Sequence, residues 1–264
     1  MIIFSNELRQ LRTQTIWWSL SMAVLIFAML PMYVDMISAG TIDLTTLGSS
    51  GIFEMLGADI RLLTTPIGMF GWLTSFFALA GGIYGMFLGL KTFSKETVGQ
   101  SAEFLYTKPA RRRSIFCAKV SAGLVSAIIV GLSYLLGAWA SAQVNLAGQM
   151  EMRAFLLIGL SFMLVEIFFV LFGALVGALH PKVRAPLLMS SGAVFMFYVL
   201  AAFASKVQAD VLKFITPFSY FGASGIVKNG LYNLGYLTAF VVLGMLFYGL
   251  GHLVFIKKDV TFIA

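Results

Sequence analysis

Long apolar stretches, rather than short alternations of polarity, organise this chain. Five runs hold no Asp, Glu, Lys or Arg: Thr13–Val34, Leu62–Leu90, Val120–Met150, Ala185–Ser205 and Asn229–Ile256. A sixth, Ala154–Pro181, is interrupted only by Glu166. A helix needs about 20 mostly apolar residues to cross a bilayer core. The runs therefore predict an all-α integral membrane fold with six transmembrane helices, near 16–36, 67–90, 117–140, 154–179, 186–204 and 232–256. A membrane β-barrel would show short alternating segments instead. An even number of spans puts both termini on one side.

The connections carry patterns of their own. Near the start, apolar Ile2, Ile3, Phe4, Leu8 and Leu11 interleave with Asn6, Glu7, Arg9, Gln10 and Arg12 at helical spacing. This predicts an amphipathic N-terminal interfacial helix, the alternative being a charged flank that orients the first span. A cleaved signal peptide is the competing reading of this end. The apolar run is too long for one, and no A-x-A site follows Pro31. The first loop, 37–64, contains the amphipathic stretch Ile52–Leu63. Before the last span, Phe214–Val227 is uncharged, with Pro217, Gly222 and Gly225 inside it. It is too apolar for a solvated loop and too short to span, so residues 210–231 read as an outer re-entrant hairpin, with a surface-lying loop as the alternative.

Composition and charge narrow the class and orient it. Of 264 residues, 59% are hydrophobic and 11% charged, against about 25% charged in soluble domains. So few charges could not coat a globule, which excludes an ordinary soluble enzyme and a disordered chain. The single cysteine, Cys117, permits no internal disulfide. The net charge of +7 would suggest nucleic acid in a soluble protein, but here it bears on membrane side. Arg9, Arg12, the seven cations from Lys91 to Lys119, Lys182, Arg184, Lys257 and Lys258 share one side, thirteen in all. Only Arg61, Arg153, Lys206, Lys213 and Lys228 face the other. The positive-inside rule then predicts cytoplasmic termini.

Familiar catalytic signatures are missing. The string Gly85–Thr92, GMFLGLKT, has Leu90 where a phosphate-binding loop needs its second glycine. His180 and His252 make no metal-binding spacing, and there is no G-x-S-x-G. The chain is expected to be no enzyme, with no metal or cofactor of its own. Two intramembrane features remain. Gly81, Gly85 and Gly89 repeat every four residues, beside Gly82, so one face of the second span predicts close helix packing, in this chain or against a second copy. Glu166 falls mid-span, where a carboxylate is costly and should face the bundle or a wet cavity. It is a candidate for the translocation path, the alternative being a packing glutamate. It would be central if the chain were a stand-alone secondary transporter or channel.

The segment KETVGQSAEFLYTKPARRRSIFCAK, within Lys91–Lys119, resembles the inner-face signature of type-2 ABC-transporter permeases. Glu96, Gly99, Glu103, Phe104, Leu105, Pro109, Arg112 and Lys119 occupy the matching places, with Phe104 where leucine is commoner and an extra run of arginines. The opening FSNELRQLRTQTIWWSL is similar to the family's interfacial helix, and the end FIKKDVTFIA to its basic tail. The resemblance covers residues 1–264 as a single transmembrane domain. It implies a bacterial cell-membrane permease half that pairs with a second copy or a paralogue and with cytoplasmic ABC ATPase subunits, which carry ATP and Mg. Residues 91–113 would form the ATPase-coupling segment, and the second and fifth spans would line the exit path. The implied cargo is hydrophobic or amphipathic: an antibiotic, peptide or lipid. Membrane lipids are expected partners and nucleic acid is not.

Overall fold

The computed structural model describes residues 2–38, 63, 65–98, 111–145, 151–207 and 210–257. The regular elements among them are all helices. They are α1 (Ile2–Ser38), α2 (Pro66–Val98), α3 (Arg112–Asn145), α4 (Met152–Leu179) and α5 (Pro186–Val207). Three short helices follow, α6 (Asp210–Ile215), α7 (Pro217–Tyr220) and α8 (Ala223–Asn229), and then α9 (Leu234–Lys257). Six of these are long and apolar enough to cross a membrane. Pro66, Pro186 and Pro217 open α2, α5 and α7, at the position where a missing N–H costs nothing. Gly230, at φ 64°, closes α8 by donating its N–H to the Ile226 carbonyl at 2.8 Å, a left-handed cap that favours glycine.

The tightest packing joins helices two apart in the chain, which run parallel. On α2, Gly81 faces Phe162 of α4, Gly85 faces Glu166 and Gly89 faces Val170, in step every fourth residue. At Gly89 a methyl group would stand 2.5 Å from both the Val170 carbonyl oxygen and the Ala174 nitrogen. Only backbone is there to yield, so the two helices approach to a distance that glycine alone allows. α1 lies along α3 in the same sense, and Gly137 meets the backbone of Ala23. Pro31, inside α1, removes the N–H that would have bonded the Phe27 carbonyl. Ser141 of α3 fills the gap, donating its Oγ to Phe27 O at 2.9 Å. Hydroxyl pairs tie the two layers together: Thr15 to Tyr84 at 3.1 Å and Thr74 to Tyr134 at 2.8 Å. α5 buries only a stripe at Ser190, Val194, Ala201 and Ala204, and α9 little beyond Gly244 and Gly251.

The long helices run past the spans expected from the sequence. No separate interfacial helix precedes the first span, because α1 runs unbroken from Ile2 to Ser38. No glycine or proline interrupts it before Pro31, and Glu7, expected on a polar outer face, is only 3% exposed. At about 1.5 Å per residue the helix is roughly 55 Å long, well beyond a bilayer core. The helix of the second span likewise runs past Leu90 to Val98, since Lys91, Thr92, Ser94 and Lys95 all find partners on neighbouring helices or their own backbone. α3 extends past the expected 117–140 at both ends. Where a hairpin was expected over 210–231, α6, α7 and α8 lie against the long helices, with Thr216, Tyr220 and Ile226 buried. The stretch Ile52–Leu62 lies outside the described residues.

Candidate functional site

The end of the bundle that holds the first turns of α1 also holds the C-terminal turns of α2 and the first turns of α3. Three charged side chains meet there. Lys119 donates from Nζ to Glu7 Oε1 at 3.1 Å and to the Thr92 carbonyl at 2.8 Å. Lys95 pairs with the other carboxylate oxygen of Glu7 and reaches Gln10 Oε1 at 2.6 Å. One turn along, Lys91 donates to Gln14 Oε1 at 2.6 Å. The Lys119 side chain is fully buried, and its ammonium sits 5.9 Å from the Phe93 ring centre. Phe93, Phe116 and Phe255 close the floor, with ring centres 5.3–5.7 Å apart. Arg112, at the start of α3, donates to the Ile256 carbonyl near the end of α9 at 3.3 Å. Both ends of the described chain therefore lie at this end of the bundle.

Residues 99–110, which follow α2 and precede α3 in the sequence, lie outside the described residues, and with them five of the signature positions, Gly99, Glu103, Phe104, Leu105 and Pro109. Glu96 is on the last turns of α2 and Arg112 opens α3. The carboxylate that unites these two helix ends comes from α1. Sequence reasoning missed it, since Glu7 is 88 residues from Lys95 and 112 from Lys119. Its one visible signal was an acid with Ile3, Phe4, Leu8 and Leu11 around it at helical spacing.

Glu166 lies in the α2–α4 seam, fully buried, its backbone carbonyl against Gly85. Neither carboxyl oxygen has a hydrogen-bond partner among the described residues. It does not border the cavity of about 330 Å³ that opens at the opposite end of the bundle. That cavity is walled by α2, α4, α5, the short helices and the start of α9. Its walls mix Trp72, Ile158 and Phe218 with the hydroxyls of Ser75, Ser161, Tyr198, Ser219 and Tyr236, and Lys213 borders it. Apolar walls with a few convergent polar groups suit an amphipathic occupant better than an ion.

Six long apolar helices, ion-tied at one end and hollowed at the other, fit a multi-pass membrane protein. The chain belongs to the ABC-2 family of transporter proteins, whose family model matches residues 1–260. Permeases of this family are transport membrane subunits, generally without an ATPase site of their own, that partner in general with ATPase subunits and a second permease. No curated protein matches the chain.

Proposed function

We propose that this chain is the permease half of a bacterial ABC exporter. It would pair with a second permease copy or paralogue and be driven by separate cytoplasmic ATPase subunits. The observation that carries the reading is the basic end. There α2 runs on as helix past Lys95, α3 begins at Arg112, and both are tied to α1 around residues 99–110. A lever rooted in three helices can pass a push from a soluble subunit into the membrane bundle. In this reading the basic end is cytoplasmic, by the positive-inside rule, and the cavity end faces out.

The rest of the surface supports a seam between two halves. α2 keeps a half-buried apolar strip through Trp72, Phe76, Leu79, Ile83 and Phe87, and α5 exposes Phe195, Met196 and Val199. The hydroxyl-lined cavity favours a hydrophobic or amphipathic cargo. In the same reading the short helices α6–α8 close the outer mouth. ATP-driven closure of the ATPase subunits does work only if it favours one permease conformation over the other. The test is Glu103→Arg, which reverses charge in the middle of the coupling segment. ATP hydrolysis is expected to lose its dependence on this chain while the bundle stays folded. Normal transport with normal stimulation would contradict the coupling role.

A further inference from the structure

We propose that Glu7 is the positioning residue of the coupling end. By holding Lys95 of α2 and Lys119 of α3 on one carboxylate, it makes the first turns of α1 move with both roots of residues 99–110. This rests on the reading of the chain as an ATPase-driven permease.

The geometry leaves little slack. Glu7 is 3% exposed and Lys119 1%, so water does not replace the partners if the group comes apart. Each carboxylate oxygen takes one ammonium, and the second hydrogen bond of Lys119, to Thr92 O, ties α3 directly to α2. Along α1, Glu7, Gln10 and Gln14 form a polar ladder at i, i+3 and i+7. It meets Lys95 and Lys91 on α2 in step. Without it, a push arriving at α2 or α3 could move either helix alone. With it, the push displaces α1, an unbroken helix fastened further along by Thr15 to Tyr84 and by Ser141 to the Phe27 carbonyl. A glutamine at position 7 would present its amide N–H₂ to an ammonium and lose one of the two ties, so the role requires the charge.

The test uses the full chain together with the ATPase subunits that co-purify with it. Removing only the acid would strand a buried Lys119, so the variant is Glu7→Gln combined with Lys119→Gln. The partially exposed Lys95 remains solvated. The conservative counterpart is Glu7→Asp, which keeps one anion between the two cations. The functional readout is ATP hydrolysis with and without the permease. Separately, spin labels at Asn6→Cys and Ser114→Cys, both exposed positions, report the α1–α3 distance in a Cys117→Ser background. In the glutamine pair, we expect retained assembly, a roughly tenfold loss of the permease-dependent change in hydrolysis, and a broadened label distance. The Glu7→Asp variant is expected to keep most of both the coupling and the narrow distance. If the glutamine pair keeps wild-type coupling and a narrow distance, Glu7 is not the positioning residue, and the permease reading stands. If no ATPase subunit accompanies the wild-type chain, the permease reading itself fails and takes the role of Glu7 with it.

Discussion

The α2–α4 seam and the α1–α2–α3 junction hold the same bundle by opposite means. In the seam, Gly85 and Gly89 bring two backbones together against Glu166 and Val170, by close approach rather than by ion pairing. At the junction, one carboxylate and two ammonium groups select each other across three helices. Shape is tolerant of direction but not of size, whereas charge is tolerant of size but not of a missing partner. The seam suits a fixed axis through the membrane. The junction suits a place where force enters, because an ion pair resists separation yet permits tilt.

Four variants would break or sharpen that contrast, in falling order of effect. Glu7→Leu leaves the buried Lys119 ammonium without its anion and is expected to cost about 3–5 kcal/mol, read as lost thermal stability in detergent. Gly89→Leu drives a side chain into the α4 backbone and is expected to cost roughly 3 kcal/mol. Here size alone matters, so Gly89→Ser should recover part of the loss while Glu7→Ser should recover none. Combining Glu7→Leu with Lys119→Leu should cost well under the sum of the two single changes, while Glu7→Leu with Gly89→Leu should add. Ser141→Ala, which orphans the Phe27 carbonyl next to Pro31, is expected to cost about 1 kcal/mol. Lys95→Met removes the more exposed of the two cations and should change stability by about 1 kcal/mol or less.

The same contrast explains what could be read from the sequence. Uncharged runs mark six long helices because a bilayer core forbids charge over a fixed length, and that constraint is local. The repeat of Gly81, Gly85 and Gly89 is local too, though which helix it meets is not. That depends on the parallel pairing of α2 with α4 across an intervening span. Glu7 read as part of a polar outer face because its partners lie on other helices, and an acid beside Arg9 and Arg12 reads as one more surface charge. The continuity of α1 and the run of α2 to Val98 have the same cause. Polar residues that would end a span in isolation stay helical when a neighbouring helix supplies Gln14 to Lys91 and Glu7 to Lys95. The cavity lined by Ser75, Ser161 and Tyr236 was invisible because its walls come from elements far apart in the chain. Glu166 stood out at once, yet its place in the seam, away from that cavity, needed the packing.

The central claim is that this permease is driven by a separate ATPase docked at its basic end. Its most direct test is purification of the intact chain in a gentle detergent and identification of what accompanies it. The account predicts a stoichiometric subunit of roughly 25–35 kDa with a phosphate-binding G-x-x-x-x-G-K-[ST] loop, released when Glu103 is changed to Arg. A chain that purifies without any such subunit and moves an amphipathic cargo across liposomes by itself would contradict it.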